Sequence, residues 1–201
     1  MFALIKSYRK DWNRLKKIIL IESIKIELIK DDISINKLTN FLISAEDHRY
    51  KYHIGFDMIA ITRALRNRII YNKIEGASTI EQQLVRTIVG KYEKSLNRKL
   101  SEICLAFTLR IFTDRKTISL IYLNIAYYGT NYNGLDKILN KFHLKKGDLI
   151  SDDICAEIIS RLKYPEPTMK GKRLKLIENR KKYLLKLYQK HSNYKLLKVH
   201  G

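Results

Sequence analysis

An all-α fold is predicted by three features of this 201-residue sequence. It has only two prolines, Pro165 and Pro167, and eight glycines, so little interrupts helices. Apolar residues recur three and four positions apart, whereas alternating strand-like runs are few. Hydrophobic residues make up 45% of the chain with no low-complexity tract, enough to bury one core. No internal repeat is present, and one compact domain with appendages is expected.

The elements follow in order. The N-terminal stretch "MFALIKSYRKDWNRLKKIILIESIKIELIK" is basic, and its longest uninterrupted apolar run is Ile18 to Ile21. That run is short of a signal-peptide core of roughly 7–15 residues or a membrane span of about 20, so neither a signal nor an anchor is legible. Its apolar positions from Leu15 to Ile29 alternate with lysines, which suits either an amphipathic segment on an anionic surface or a helix packed on its own domain. Residues 1–30 therefore read as a basic amphipathic segment, 31–170 as the compact domain, and 171–201 as a basic C-terminal helix and tail.

Within the compact region, "DDISINKLTNFLISAEDHRY" places Leu38, Phe41, Leu42 and Ala45 on one helical face, with Glu46 at its edge. "FDMIAITRALRNRII" gives a second helix, ended by the polar loop "YNKIEGAS". A third begins at "STIEQQLVRTIVG" and stops at Gly90. "SLNRKLSEICLAFTLRIF" and "KTISLIYLNIAYYG" give a fourth and fifth, and the "YPEP" turn closes the region.

Charge and cysteine content bound the function. Forty Lys and Arg against twenty Asp and Glu leave +20, with a pI near 9.9. Some extended surface is strongly positive, and an anionic partner follows: nucleic acid, a phospholipid surface or a phosphate-bearing substrate. Cys104 and Cys155 each sit in an apolar run outside any metal-ligand spacing, and both read as buried structural thiols.

Three short stretches carry chemistry. "AEDHRYKYHIGFD" crowds Glu46, Asp47, His53, Gly55 and Asp57 into a dozen positions. In the third helix, Ser78-x-x-Glu81 and Thr79-x-x-Gln82 both fit a capping box, which accounts for the Ser-Thr pair structurally. At about 100° per residue, Thr79, Gln83 and Arg86 form one polar stripe on a helix whose other positions are mostly apolar. That stripe faces either solvent or a ligand, and Gly76 just before it suggests close backbone approach. In the fourth helix, Arg98 and Glu102 stand four apart as an ordinary surface ion pair would. Glu102 also aligns with Leu105 and Leu109, which puts its carboxylate at the margin of an apolar face, where burial raises a pKa and a neighbouring cation lowers it.

Taken together and in this order, "EDHRYKYHIGFD", "GASTIEQQLVR" and "RKLSE" resemble the first three signature motifs of the peptidoglycan glycosyltransferases (glycosyltransferase family 51), the transglycosylase domains of class A penicillin-binding proteins and their monofunctional relatives. The resemblance runs through "FDMIAITRAL", "KTISLIYLN" and "YPEP", and weakly through "ENRKKYLL", over residues 31 to 188. It implies an all-α, lysozyme-like fold with a small membrane-apposed lobe, and polymerisation of lipid II into a β-1,4 glycan with inversion. It implies Glu46 as the catalytic base and Glu102 as a second catalytic carboxylate. Asp47, Tyr50 (where Phe is usual), His53, Thr79, Gln83, Arg86, Arg98 and Lys99 are then the substrate-binding positions. A divalent cation, Mg or Mn, accompanies the reaction in some relatives; the sequence itself offers no metal motif. The partners so implied are lipid II, the nascent glycan strand, an anionic membrane surface and other cell-wall synthesis proteins, not nucleic acid. The implied location is the outer face of a bacterial cytoplasmic membrane. Thr87, Leu120 and "GTNYNGL" depart from the family pattern, and "DDICAEIISRLKYP" barely resembles its fifth motif.

Other readings stand beside this one. A non-catalytic relative would bind lipid-linked precursor or glycan without joining it, and a lysozyme-like hydrolase would cleave glycan. A basic helical nucleic-acid binder would account for the charge but leaves the arrangement of Glu46, Gln83 and Glu102 unexplained.

Overall fold

The computed structural model describes residues 2–93, 95–168 and 171–193, so the last part of the predicted tail, 194–201, lies outside the described residues. The described residues form nine α-helices, with isolated bridges in place of strands. They are α1 (Phe2–Ile26), α2 (Ile33–Glu46), α3 (Met58–Tyr71), α4 (Ile80–Val89), α5 (Leu96–Phe112), α6 (Arg115–Ile125), α7 (Leu135–Lys141), α8 (Asp152–Lys163) and α9 (Lys172–Asn193). The all-α expectation holds. The sequence reading did not foresee α7 and α8.

Side-chain caps start most of these helices. Asp32, Asp57, Thr79, Ser95, Asp114 and Ser151 each accept a backbone N–H from the first turn of α2, α3, α4, α5, α6 and α8 respectively. Each such cap stabilises by about 1 kcal/mol. Of the two overlapping capping boxes, Thr79 is the N-cap and accepts from Gln82 N, while Glu81 turns into the interior. Glycine or asparagine in the left-handed region ends α4 at Gly90 (φ 75°) and α3 at Asn72 (φ 48°).

The core is built around α4, which packs on α1, α5 and α6, while α2, α8 and α9 form the adjoining layer. Its fully buried side chains include Leu38, Phe41 and Leu42 of α2 with Ile80 and Leu84 of α4. Helix α1 joins the same core through Leu15, Ile19 and Ile26, and α9 through Leu184, with Tyr188 stacked on Phe41 at 3.8 Å between ring centres. Cys155 is buried, but Cys104 on α5 is exposed, which corrects the expectation of two interior thiols. Helix α3 stands apart. Ala60 is its only buried side chain, and Ile69, Ile70 and Tyr71 at its end are exposed, as is Ile74 just beyond.

Candidate active site

Helix α2 ends at Glu46 because the Asp47 amide closes onto Ile43 O at 2.9 Å and Asp47 then leaves helical geometry. With the helix anchored by Leu38, Phe41 and Leu42, the Glu46 carboxylate projects half-buried into a cavity of about 680 Å³ whose walls include Arg63, Lys73, Lys163 and Arg180. Gln83 Nε2 donates to Glu46 Oε2 at 3.1 Å, and Arg180 Nη2 donates to Ala45 O at 3.1 Å while reaching Glu46 Oε1 at 3.4 Å. Burial pushes the Glu46 carboxyl up, and the Arg180 charge and the Gln83 bond pull it back only in part, so its pKa is raised.

Arg86, one turn beyond Gln83 on α4, joins a cationic cluster. Glu102 on α5 accepts from Arg86 Nε at 3.1 Å and Nη2 at 2.9 Å, from Lys99 Nζ at 2.8 Å, and from Arg98 Nη1. Lys99 Nζ also donates to Gln82 Oε1 at 2.6 Å and to Ser78 Oγ at 3.0 Å. Burial would raise the Glu102 carboxyl, but the bonds from Arg86 and Lys99 outweigh it and hold it below the ordinary range. Burial lowers Lys99 despite its bond to Glu102. Three cations around one carboxylate leave a local excess of positive charge. Arg86, Arg98 and Glu102 line a cavity of about 500 Å³ that α1 completes with Tyr8.

The segment 77–79 joins the two clusters. With Glu46 it lines a small cavity of about 40 Å³, and the Ser78 hydroxyl accepts from Lys99 and, at 3.4 Å, from Arg86.

Four of the predicted binding residues have structural roles here. Thr79 is buried, and its hydroxyl donates to Gly55 O at 2.8 Å while capping α4. Tyr50 is a core side chain whose hydroxyl donates to Arg115 O at 2.8 Å. Asp47 and His53 are buried against each other, with His53 Nε2 at 3.0 Å from both Asp47 oxygens, and Asp47 Oδ2 accepts from Ile80 N at 3.1 Å. These contacts tie the "EDHRY" element to the start of α4. Arg86 and Arg98 line the 500 Å³ cavity, while Gln83 and Lys99 reach the Glu46 and Glu102 carboxylates.

The close backbone approach expected at Gly76 falls at Gly55. A Cβ on Gly76 would meet nothing within 4 Å, whereas one on Gly55 (φ 99°) would sit 2.5 Å from Ala106 O of α5. Sequence reading missed Arg180, Tyr122, Gln82 and Glu81. Arg180 and Tyr122 lie in "ENRKKYLL" and "KTISLIYLN", the stretches that resembled the family, so a signal existed for them. Gln82 and Glu81 were absorbed into the capping-box reading. Of the departures, Leu120 is a core residue, and the Thr87 hydroxyl donates back to Gln83 O at 2.9 Å within α4.

Mg or Mn does not fit Glu102 as it stands, since both of its oxygens already accept from cations.

Through Gln83 and Arg86, the buried helix α4 thus touches both a raised carboxylate at the end of α2 and a cationic cluster on α5, within an all-α fold. The chain belongs to the Transglycosylase family, whose model matches residues 16–189. It is 34% identical over 125 residues to the biosynthetic peptidoglycan transglycosylase of Haemophilus influenzae (strain PittEE), covering 62% of this chain and 52% of that protein. Over 155 residues it is 29% identical to penicillin-binding protein 1A of Rickettsia prowazekii, covering 75% of this chain and 20% of the other. Over 121 residues it is 32% identical to the monofunctional glycosyltransferase of Staphylococcus epidermidis (strain ATCC 35984), covering 58% and 45%. The chain thus spans about half the length of these relatives or less.

Proposed function

We propose that this chain is a peptidoglycan glycosyltransferase that polymerises lipid II into β-1,4 glycan strands with inversion. The observation that carries the reading is Glu46: a carboxylate with a raised pKa, on a rigid helix end, at the rim of a large cavity. Glu46 takes the proton of the acceptor sugar's 4-hydroxyl as that oxygen bonds to the donor's anomeric carbon. The bond from that carbon to the lipid-linked pyrophosphate breaks on the opposite face, which inverts an α-linked donor to a β-linked product. Arg86, Arg98 and Lys99 meet the charge that develops on the leaving pyrophosphate, and Glu102 holds them in place beforehand.

The membrane relation is part of the same proposal. No described helix is long and apolar enough to cross a membrane. The exposed Ile69, Ile70, Tyr71 and Ile74 at the end of α3, flanked by Arg66, Arg68 and Lys73, support reading α3 as the membrane-apposed lobe. In this reading the enzyme works at the outer face of a cytoplasmic membrane on lipid II and the nascent strand. The deciding experiment incubates the purified protein with lipid II and, separately, with finished glycan. Glycan longer than two disaccharides from lipid II is expected. Cleavage of finished glycan without polymerisation would instead assign a hydrolase.

A further inference from the structure

Asp47, His53 and Glu81 meet where the end of α2, the loop before α3 and the first turn of α4 converge. All three are buried, and one ligating atom of each lies within 4.8 Å of the others. The Asp47 and His53 side chains satisfy each other. Glu81 is different: its side chain is 0% exposed, and neither carboxylate oxygen has a hydrogen-bond partner. The Thr79 hydroxyl and Glu81's own amide lie near this carboxylate, but neither meets it in hydrogen-bond geometry, because the hydroxyl's single proton goes to Gly55 O at 2.8 Å. Burial pushes the Glu81 carboxyl up to about 7, yet protonation alone answers only half the problem. A neutral carboxylic acid still needs an acceptor for its O–H and a donor for its carbonyl oxygen.

We infer that Asp47, His53 and Glu81 form a binding site for one divalent transition-metal ion of the zinc class. A cation there supplies Glu81 with the partner it lacks. One imidazole nitrogen with two carboxylates suits Zn²⁺, whereas Mg²⁺ favours an octahedral oxygen shell that keeps several waters. Two carboxylates neutralise the dication while the imidazole stays uncharged, so the buried site carries no net charge. Ligation through Nε2 moves the ring proton to Nδ1 and releases the long contact from Gly55 N at 3.3 Å. The ion would lock the "EDHRY" element, which carries Glu46, to the start of α4, and it is separate from the cationic cluster around Glu102. The inference does not depend on the polymerase reading.

The test uses the whole chain stripped of metal by a chelator and titrated with Zn²⁺ or Mg²⁺. One Zn²⁺ per chain surviving desalting, with a rise in thermal midpoint, is expected, and no such response to Mg²⁺. Glu81→Gln should weaken Zn²⁺ binding by about tenfold or more, while Cys104→Ser, which removes the exposed thiol, should leave it unchanged. Should Glu81→Gln fail to fold, Co²⁺ loading of the wild-type protein gives an independent readout in the visible spectrum of a protein-bound nitrogen and oxygen site. Absence of stoichiometric Zn²⁺, equal binding by Glu81→Gln, loss of binding in Cys104→Ser, or a Co²⁺ spectrum of the free aqueous ion would each overturn the site.

Discussion

The side-chain amide of Gln83 donates to Glu46 Oε2 across 3.1 Å, and its orientation is fixed from behind by the Tyr122 hydroxyl, which donates to Gln83 Oε1 at 2.6 Å. The bond to Tyr122 leaves the amide nitrogen only one way to face, toward the carboxylate. Helix α6 therefore sets, through α4, the position of a group at the end of α2.

Glu46→Gln keeps the size of the side chain and an oxygen for Gln83 to donate to, but removes the base. Polymerisation should fall by about 10²- to 10⁴-fold, the usual contribution of a positioned general base. Thermal midpoint and lipid II binding should stay close to wild type. Substantial glycan synthesis by the purified variant would remove Glu46 from the mechanism.

The pH dependence follows from the sign of the Glu46 shift. The base works only when ionised, and its pKa is raised, so activity should be lost on the acid side at a pH above the ordinary glutamate range. The Arg180 charge pulls that pKa down, so Arg180→Met should move the acid limb of the kcat/KM profile to higher pH. Movement of the limb in the other direction would contradict the assignment.

Arg86→Gln, Arg98→Gln and Lys99→Gln should each slow turnover more than Lys182→Gln, which removes a cation from an exposed pair 3.7 Å from Glu178. Four equally small effects in a lipid II consumption assay would dissociate these residues from the leaving group.

Glu102→Gln leaves three cations around a neutral amide and should destabilise the fold by about 1–3 kcal/mol, discounted from a fully buried pair because the cations are partly solvated. The folded-state pKa of Glu102 is depressed, so its stabilisation is present above the unfolded-state value and lost as pH falls through the folded one. Denaturant unfolding should show the gap between wild type and variant closing in acid.

Gly55→Ala places a Cβ against the backbone of α5 at a φ of 99°. A loss of about 2 kcal/mol or more is expected in denaturant unfolding. Activity should fall with it, because Gly55 O also holds Thr79. An unchanged unfolding midpoint would mean that the loop does not press on α5.

Binding to anionic vesicles should be strong at low salt and decline as salt rises, with about 1 kcal/mol available per basic residue near the surface. Ile70→Asp, on the exposed end of α3, should weaken it without altering the thermal midpoint. Equal binding to neutral and anionic vesicles would argue against the membrane-apposed lobe.

Residue spacing by itself determined the helices that carry the motifs, because amphipathic periodicity and capping residues are local and act within one or two turns. It therefore placed Leu38, Phe41 and Leu42 on one face, put Glu46 at its edge, ended α4 at Gly90 and singled out Gln83 and Arg86. Helices α7 and α8 escape it because α7 is only seven residues long and the α8 stretch, "DDICAEIISRLKYP", reads as a motif that barely resembles the family pattern. Only the tertiary structure decided what each polar group does, since that depends on partners distant in the chain. Thr79 and Glu102 look alike as edge polar groups in sequence. One spends its hydroxyl on Gly55, 24 positions away, and the other gathers Arg86, 16 positions back. Arg180 reaches Glu46 across 134 positions, and buried Glu81 meets Asp47 and His53 from 34 and 28 positions away. A local pattern fixes which side of a helix is apolar, but desolvation and charge pairing are properties of the space between helices.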